Sequence, residues 1–182
     1  MKLIVGLGNW QKMYEKTRHN AGFIAIDYYC NKYNIKLDIK KFDGLLFKNS
    51  EFIIVQPQTL MNLSGNCVKQ IVDFYQIPIK DVLVVYDDIN FGIGNFVYTP
   101  KGSCGGHNGM GNIINTLATK NIHRIKIGIE KKPEDKILSD YVLEKFTAQQ
   151  YKMLESYMDE FCLMINDFLV DKPIKSFYKP EN

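Results

Sequence analysis

The stretch Val82-Leu83-Val84-Val85 carries no polar side chain. It restricts the fold more than any other part of the chain. A strand that is apolar at every position buries both of its faces, as central strands do in sheets covered by helices on each side. The strand reads from Asp81 to Tyr86 and runs out into Asp87-Asp88. A second apolar run, Leu3 to Val5, lies in a first strand over Lys2 to Leu7 and enters Gly6-Leu7-Gly8-Asn9. Tyr14 and Thr17-Arg18-His19-Asn20 follow. Gly6 and Gly8 let the backbone pass close to another element or adopt dihedrals that side chains forbid. This stretch is either a plain strand–turn–helix connection, with Asn20 as helix cap and His19 incidental, or half of a site.

Further elements follow from pattern. Asn20 to Tyr33 reads as a helix, with Phe23, Ile24, Asp27 and Tyr28 at helical spacing. Asn31 to Lys41 reads as an exposed, lysine-rich connector. Gly44 to Phe47 and Glu51 to Val55 read as strands joined at Lys48-Asn49-Ser50, with Pro57 as a stop. A helix then ends near Gln76, capped by Asn62 or Ser64, with Pro78 at its exit. Phe91 to Tyr98 reads as extended, Lys101 to Gly109 as a glycine-rich loop, and the residues to about Ala118 as a helix. Ile122 to Ile129 alternates like a strand. Thr147 with Gln150 forms a capping box for a last helix. Its apolar stripe is Tyr151, Leu154, Tyr157, Met158, Phe161, Ile165 and Phe168. The order predicts an α/β fold with a twisted, mixed sheet flanked by helices. A chain of 182 residues fits a single domain over 1–182. The tail from about Lys172 reads as loosely ordered.

Composition narrows the function. A net charge of +3 allows an anionic partner without demanding one. Of 23 cationic residues only Arg18 and Arg124 are arginine, a scarcity read as codon bias. Cys30, Cys67, Cys104 and Cys162 have no paired spacing and read as reduced thiols of a cytoplasmic protein. His19, His107 and His123 lack metal-ligand spacing. The opening apolar run stops at Gly8-Asn9, short of the roughly 7–15 residues of a signal peptide. No stretch approaches the ~18 apolar residues of a membrane span. The glycines do not complete a dinucleotide fingerprint, and neither a Walker sequence nor a GxSxG elbow occurs.

Four strand exits carry polar residues: Asn9 to His19, Gln58 to Asn62, Asp87-Asp88, and Ser103 to Asn108. If they meet, a histidine serves as general base near neutral pH, with Asp87 to orient it. Asn9, Asn62 and Asn108 each carry an amide donor and acceptor that match a peptide-like group. His107, beside Asn108, is the rival to His19 as base. Each residue also has a plain role in turns and caps.

The ordered set resembles the signature blocks of bacterial-type peptidyl-tRNA hydrolases. The blocks are Gly6 to Asn9, Tyr14, Thr17 to Phe23, Pro57 to Gly65, Asp87-Asp88 and Gly102 to Gly109. The C-terminal third adds length and helix rather than motif. The resemblance implies hydrolysis of the ester joining a peptide to the 3′ ribose of tRNA, recycling tRNA from stalled translation. It implies His19 as base, Asp87 as its partner, and Asn9, Asn62 and Asn108 on the peptide, the tRNA end and the water. It also places Tyr14, Met61 and His107 at the substrate. It implies peptidyl-tRNA as the partner of a cytoplasmic monomer, with no membrane, metal or organic cofactor.

Two departures stand out. Trp10-Gln11 occupies the place of the family's usual Pro-Gly, and Trp10 either stacks on a base of the tRNA end or packs on its loop. Val97 and Thr99 stand where the family tends to carry basic residues for the tRNA 5′ phosphate, leaving Lys101 and Lys126 for that task. Two other readings stay open: a non-catalytic RNA-binding protein on the same fold, and a hydrolase of small esters or amides.

Overall fold

The computed structural model describes residues 1–181. Seven strands form one mixed sheet: β1 (Lys2–Gly6), β2 (Ile39–Lys41), β3 (Gly44–Lys48), β4 (Phe52–Pro57), β5 (Val82–Asp88), β6 (Phe96–Thr99) and β7 (His123–Gly128). Their order is β2-β3-β4-β1-β5-β7-β6. The inner four, β4, β1, β5 and β7, run parallel, while β2, β3 and β6 add antiparallel margins. The helices are α1 (Ala21–Lys32), α2 (Ser64–Tyr75), α3 (Asn108–Leu117), α4 (Leu138–Leu143), α5 (Ala148–Ser156) and α6 (Met158–Leu169).

Successive side chains of a strand point to opposite faces, so each apolar run feeds two cores. Leu3, Val5, Val55 and Val84 meet Val68 and Ile71 of α2 and Met110 and Ile113 of α3. Ile4, Ile54, Leu83 and Val85 meet Ile26 of α1 and Phe161, Ile165 and Phe168 of α6. The Val82 to Val85 run is thus a central strand buried on both faces.

Several local expectations change. The supposed connector holds β2, whose three residues are all exposed and which joins the sheet through backbone pairing with β3. The extended segment is a strand only over Phe96–Thr99. The capping box at Thr147 is present, but the last helix breaks at Tyr157 into α5 and α6. The tail is not loose along its length. Phe177 exchanges both backbone hydrogen bonds with Phe96, and Ser176 Oγ accepts from Tyr98 N–H, so the tail covers the β6 edge. Among the described residues no helix is long and apolar enough to cross a membrane.

Candidate active site

Parallel strands end on the same side of a sheet, and open α/β sheets place their sites beyond those carboxyl ends. The ends of β1, β4 and β5 deliver Asn9, Met61-Asn62 and Asp87 to this side. The approach of α1 depends on missing side chains: a Cβ on Gly8 would lie 2.5 Å from the Phe23 ring. Close approach, rather than unusual dihedrals, therefore explains Gly6 and Gly8, neither of which has positive φ.

Asn20 is not the helix cap that its position suggests. It makes no side-chain cap bond to α1. Its Oδ1 accepts from the Asn9 backbone N–H at 2.7 Å, and its Nδ2 donates to the Asn9 carbonyl at 2.9 Å. The buried amide thereby clamps the Asn9 peptide from both sides. Neither Asn62 nor Ser64 caps α2 with its side chain; Ser64 Oγ donates instead to the Met61 carbonyl at 2.8 Å.

His19 sits in a single turn, Arg18–Asn20, ahead of α1. Arg18 fixes that turn. It is buried, lies 4.3 Å over the Tyr141 ring and donates to Gln150 Oε1 at 3.1 Å. It also reaches the backbone carbonyls of Glu144 and Lys145. The C-terminal third therefore holds the histidine segment in place.

Asp87 lies between two imidazoles. His19 Nδ1 is 3.0 and 3.1 Å from its two carboxylate oxygens, and His107 Nε2 is 2.8 Å from Oδ1. The rings are 4.9 Å apart. Burial opposes ionisation of Asp87. The charge of His19 foremost, and the hydrogen bonds from both rings, outweigh it and hold the carboxyl well below the usual carboxylate range. Burial likewise works against charge on His19, but the Asp87 carboxylate and its hydrogen bond prevail and raise the imidazole above its ordinary value.

This geometry separates the two histidines. The Met110 N–H donates to His107 Nδ1 at 3.2 Å, so the proton of the neutral ring is on Nε2, pointing at Asp87. Both nitrogens are engaged, and neither has a lone pair for a substrate. His19 spends only Nδ1 on Asp87, leaving the Nε2 lone pair for the cavity that it lines. Three donor atoms of His19, Asp87 and His107 lie within 4.8 Å of one another, as metal ligands would. The protonated Nε2 of His107 makes this trio a hydrogen-bonded set instead.

The cavity beside His19 holds about 270 Å³. Asp87, Asp88, the loop from Cys104 to Asn108, and Leu138, Ser139 and Val142 of α4 line it. A second groove of about 320 Å³ brings Asn62 together with His107 and Asn108. Asn9 lines a third with Trp10 and Asn20. Trp10 is 51% exposed and also borders a groove with Lys40, Lys41 and Phe42, so about half of its surface faces outward.

The other expected residues fall less centrally. Met61 is buried against α3, where Gly109 leaves room for its sulfur. Tyr14 is half-buried and its carbonyl accepts from Thr17 Oγ1. Lys101 is exposed at the start of the glycine-rich loop, away from the cavity lining. Lys126 already faces Asp88 at 3.4 Å. Val97 is buried in the sheet. The α4 lining and the Arg18 socket had no motif to announce them. Their only signal was the Thr147 capping box, which marks ordered structure nearby.

The profile of the family described as peptidyl-tRNA hydrolase matches residues 3–180. A peptidyl-tRNA hydrolase of Metamycoplasma arthritidis is 47% identical over 159 residues, covering 87% of this chain and 86% of that one. One of Mycoplasmoides gallisepticum is 43% identical over 182 residues, covering 100% and 98%. Among solved structures, peptidyl-tRNA hydrolase from Acinetobacter baumannii superposes with a TM-score of 0.86 at 32% identity, covering 94% of this chain and 89% of that one.

Proposed function

The chain belongs to the peptidyl-tRNA hydrolase family, and we propose that it cleaves the peptide–tRNA ester with His19 as general base and Asp87 as its orienting partner. The observation that carries this reading is the pair of contacts from His19 Nδ1 to Asp87, which leaves Nε2 for the cavity.

A water at Nε2 loses a proton to His19 as its oxygen attacks the ester carbonyl. The carbon becomes tetrahedral and negative charge gathers on the former carbonyl oxygen. Asn108, which lines the same cavity as His19, and Asn62, in the adjoining groove, offer amide N–H donors for that charge. The imidazolium then returns the proton to the ribose oxygen as the C–O bond breaks, releasing the peptide acid and tRNA. Asp87 stabilises the imidazolium throughout without taking its proton. Asn9, its backbone fixed by Asn20, presents an amide to the neutral amide of the peptide. Tyr14 lies toward the tRNA end. Lys101 and Lys126 take tRNA phosphates, Lys126 exchanging Asp88 for one of them.

The test is release of N-acetyl amino acid from charged tRNA, with free-amine aminoacyl-tRNA and a tRNA-free ester as controls. The wild type turns over the first substrate, and folded His19→Ala and Asp87→Ala do not. A wild-type rate in His19→Ala sinks the mechanism. Equal turnover of the tRNA-free ester replaces the tRNA substrate with a small ester. Tight, salt-sensitive RNA binding without turnover makes the protein a binder.

A further inference from the structure

The chain has two arginines, and both are buried. Arg18 has the role described above. Arg124, on β7, is 0% exposed and has no salt-bridge partner among the described residues. A buried cation without an anion is expensive, and it persists only where hydrogen bonds compensate. Its guanidinium reaches three carbonyls: Nε to Ile122 at 3.2 Å, Nη1 to Ser103 at 2.8 Å and Nη2 to Lys120 at 3.1 Å. Two of these acceptors, Lys120 and Ile122, lie just before β7, and the third belongs to the glycine-rich loop.

That loop needs an external fix. Gly105 and Gly106 both take positive φ, at 58° and 82°, and contribute no side chain that could anchor it. Its outgoing end is short: Cys104 O accepts from the His107 N–H at 3.0 Å, and His107 then opens α3. Its incoming end is tied by Gly102 N–H to the Lys120 carbonyl, the same oxygen that Arg124 engages. Behind His107 packs Tyr86, centroid to centroid 4.8 Å, on the β5 strand that pairs with Arg124's strand.

We infer that Arg124 is a positioning residue: its three-way hydrogen bonding staples the Gly102 to Cys104 limb to β7 and so sets where His107 meets Asp87. The inference rests on the reading of His19 as base and Asp87 as its partner, with His107 holding Asp87. The planar guanidinium spreads its donors over three edges and so reaches three separated carbonyls from a fixed geometry. Lysine keeps the charge but concentrates its donors on one flexible head.

The experiment measures kcat, KM and the pH–rate profile on N-acetyl-aminoacyl-tRNA for Arg124→Lys, Arg124→Gln, His107→Ala and the Arg124→Lys/His107→Ala double variant. Thermal unfolding confirms that each is folded. Displacement of a reacting group by about 1 Å can reduce rate by about 100-fold, so kcat in Arg124→Lys falls at least about tenfold with KM within about twofold. The acid limb moves to higher pH, as in His107→Ala, because Asp87 loses a donor and leans more on His19. In the His107→Ala background the same change adds no more than about twofold. An unchanged kcat in folded Arg124→Lys overturns the inference. So does an equal fold-loss in both backgrounds, which would place Arg124's effect elsewhere. Should both Arg124 variants fail to fold, amide exchange of the wild type decides. The His107 amide must be protected together with the β7 amides, and fast local exchange at His107 with β7 still protected refutes the staple. Activity retained in His19→Ala would instead defeat the underlying reading, whatever Arg124 does.

Discussion

Asp87 meets His19 through both carboxylate oxygens, 3.0 and 3.1 Å from Nδ1, at a site where the carboxylate itself is almost fully buried. A buried carboxylate held this way stabilises the positive imidazole that base catalysis creates. It also raises the pH at which His19 becomes available as a base. The base must be neutral to act, so the rate climbs with pH through the raised His19 value. The acid limb of kcat/KM should therefore lie above the ordinary imidazole value of about 6.5. In Asp87→Asn the limb should move down, and kcat should fall by about 10⁴, by analogy with loss of the carboxylate in a Ser-His-Asp triad. Initial rates from pH 5 to 9 check both. A limb that stays put in Asp87→Asn would mean that another group titrates.

The same pair makes stability depend on pH. The Asp87 carboxyl is depressed in the folded state, so its contribution is present above the unfolded value of about 3.9 and is lost as pH falls through the depressed value. His19 is raised, so its contribution is present below about 6.5 and is lost as pH rises through the raised value. One ion pair underlies both shifts and counts once. The difference in Tm between wild type and Asp87→Asn should peak between about pH 4 and 6.5 and shrink on either side. A difference that keeps growing through pH 9 would count against this.

His107 and His19 should not be equivalent on substitution. A positioned base is typically worth about 10²–10⁴ in rate, and His19→Ala should forfeit it. His107 has both nitrogens committed, one to Asp87 and one to the Met110 amide. His107→Ala should keep the base but lose its alignment and one donor to Asp87, with kcat down about tenfold to 100-fold. The two variants assayed side by side at pH 8 decide. A larger loss in His107→Ala than in His19→Ala would reverse the assignment.

Much of the fold and of the site is legible in the residues themselves. The sheet was legible because the apolar runs Leu3 to Val5 and Val82 to Val85 are short, rich in β-branched residues and flanked by turn residues, as strands buried on both faces are. The site's main parts were legible because polar residues followed those runs directly. Strand β2 was hidden because Ile39, Lys40 and Lys41 are all exposed, and backbone pairing leaves no side-chain pattern. Helix α4 was hidden by its six residues, too few for a periodic stripe, of which only Tyr141 is buried. Asn20 carried the signature of a cap and spends its amide on Asn9 instead, a choice made by tertiary contact. The choice between the two histidines turned on one backbone N–H, that of Met110, which residue type alone does not disclose.

Asn20 should consequently matter more than a cap. Asn20→Ala strands the Asn9 N–H and carbonyl, and an unsatisfied buried group costs about 1–3 kcal/mol. The variant should lose stability in that range and also lose kcat/KM by about tenfold or more, since Asn9 is no longer held. Asn20→Asp keeps the acceptor but not the donor and should fall between. Denaturant unfolding and steady-state kinetics on the same samples test the link. Lost stability with unchanged kcat/KM would reduce Asn20 to a structural residue.

Trp10 offers the opposite case, a large side chain that the fold does not need. It is 51% exposed and walls two grooves, one with Asn9 and one with Lys40, Lys41 and Phe42. Little apolar surface is lost from the core when it is removed, so Trp10→Ala should leave Tm within about 2 °C, as surface changes usually do. Any catalytic effect then reports substrate contact rather than folding. An aromatic platform beside lysines suits an unpaired base with its phosphate, and such stacking contributes about 1–3 kcal/mol. KM for N-acetyl-aminoacyl-tRNA should rise at least about fivefold with kcat nearly constant, and Trp10→Phe should recover most of the loss. A tRNA-free ester, which brings no base to stack, should show no change in KM. Equal losses on both substrates would assign Trp10 to the peptide side, and no loss on either would leave it outside substrate binding.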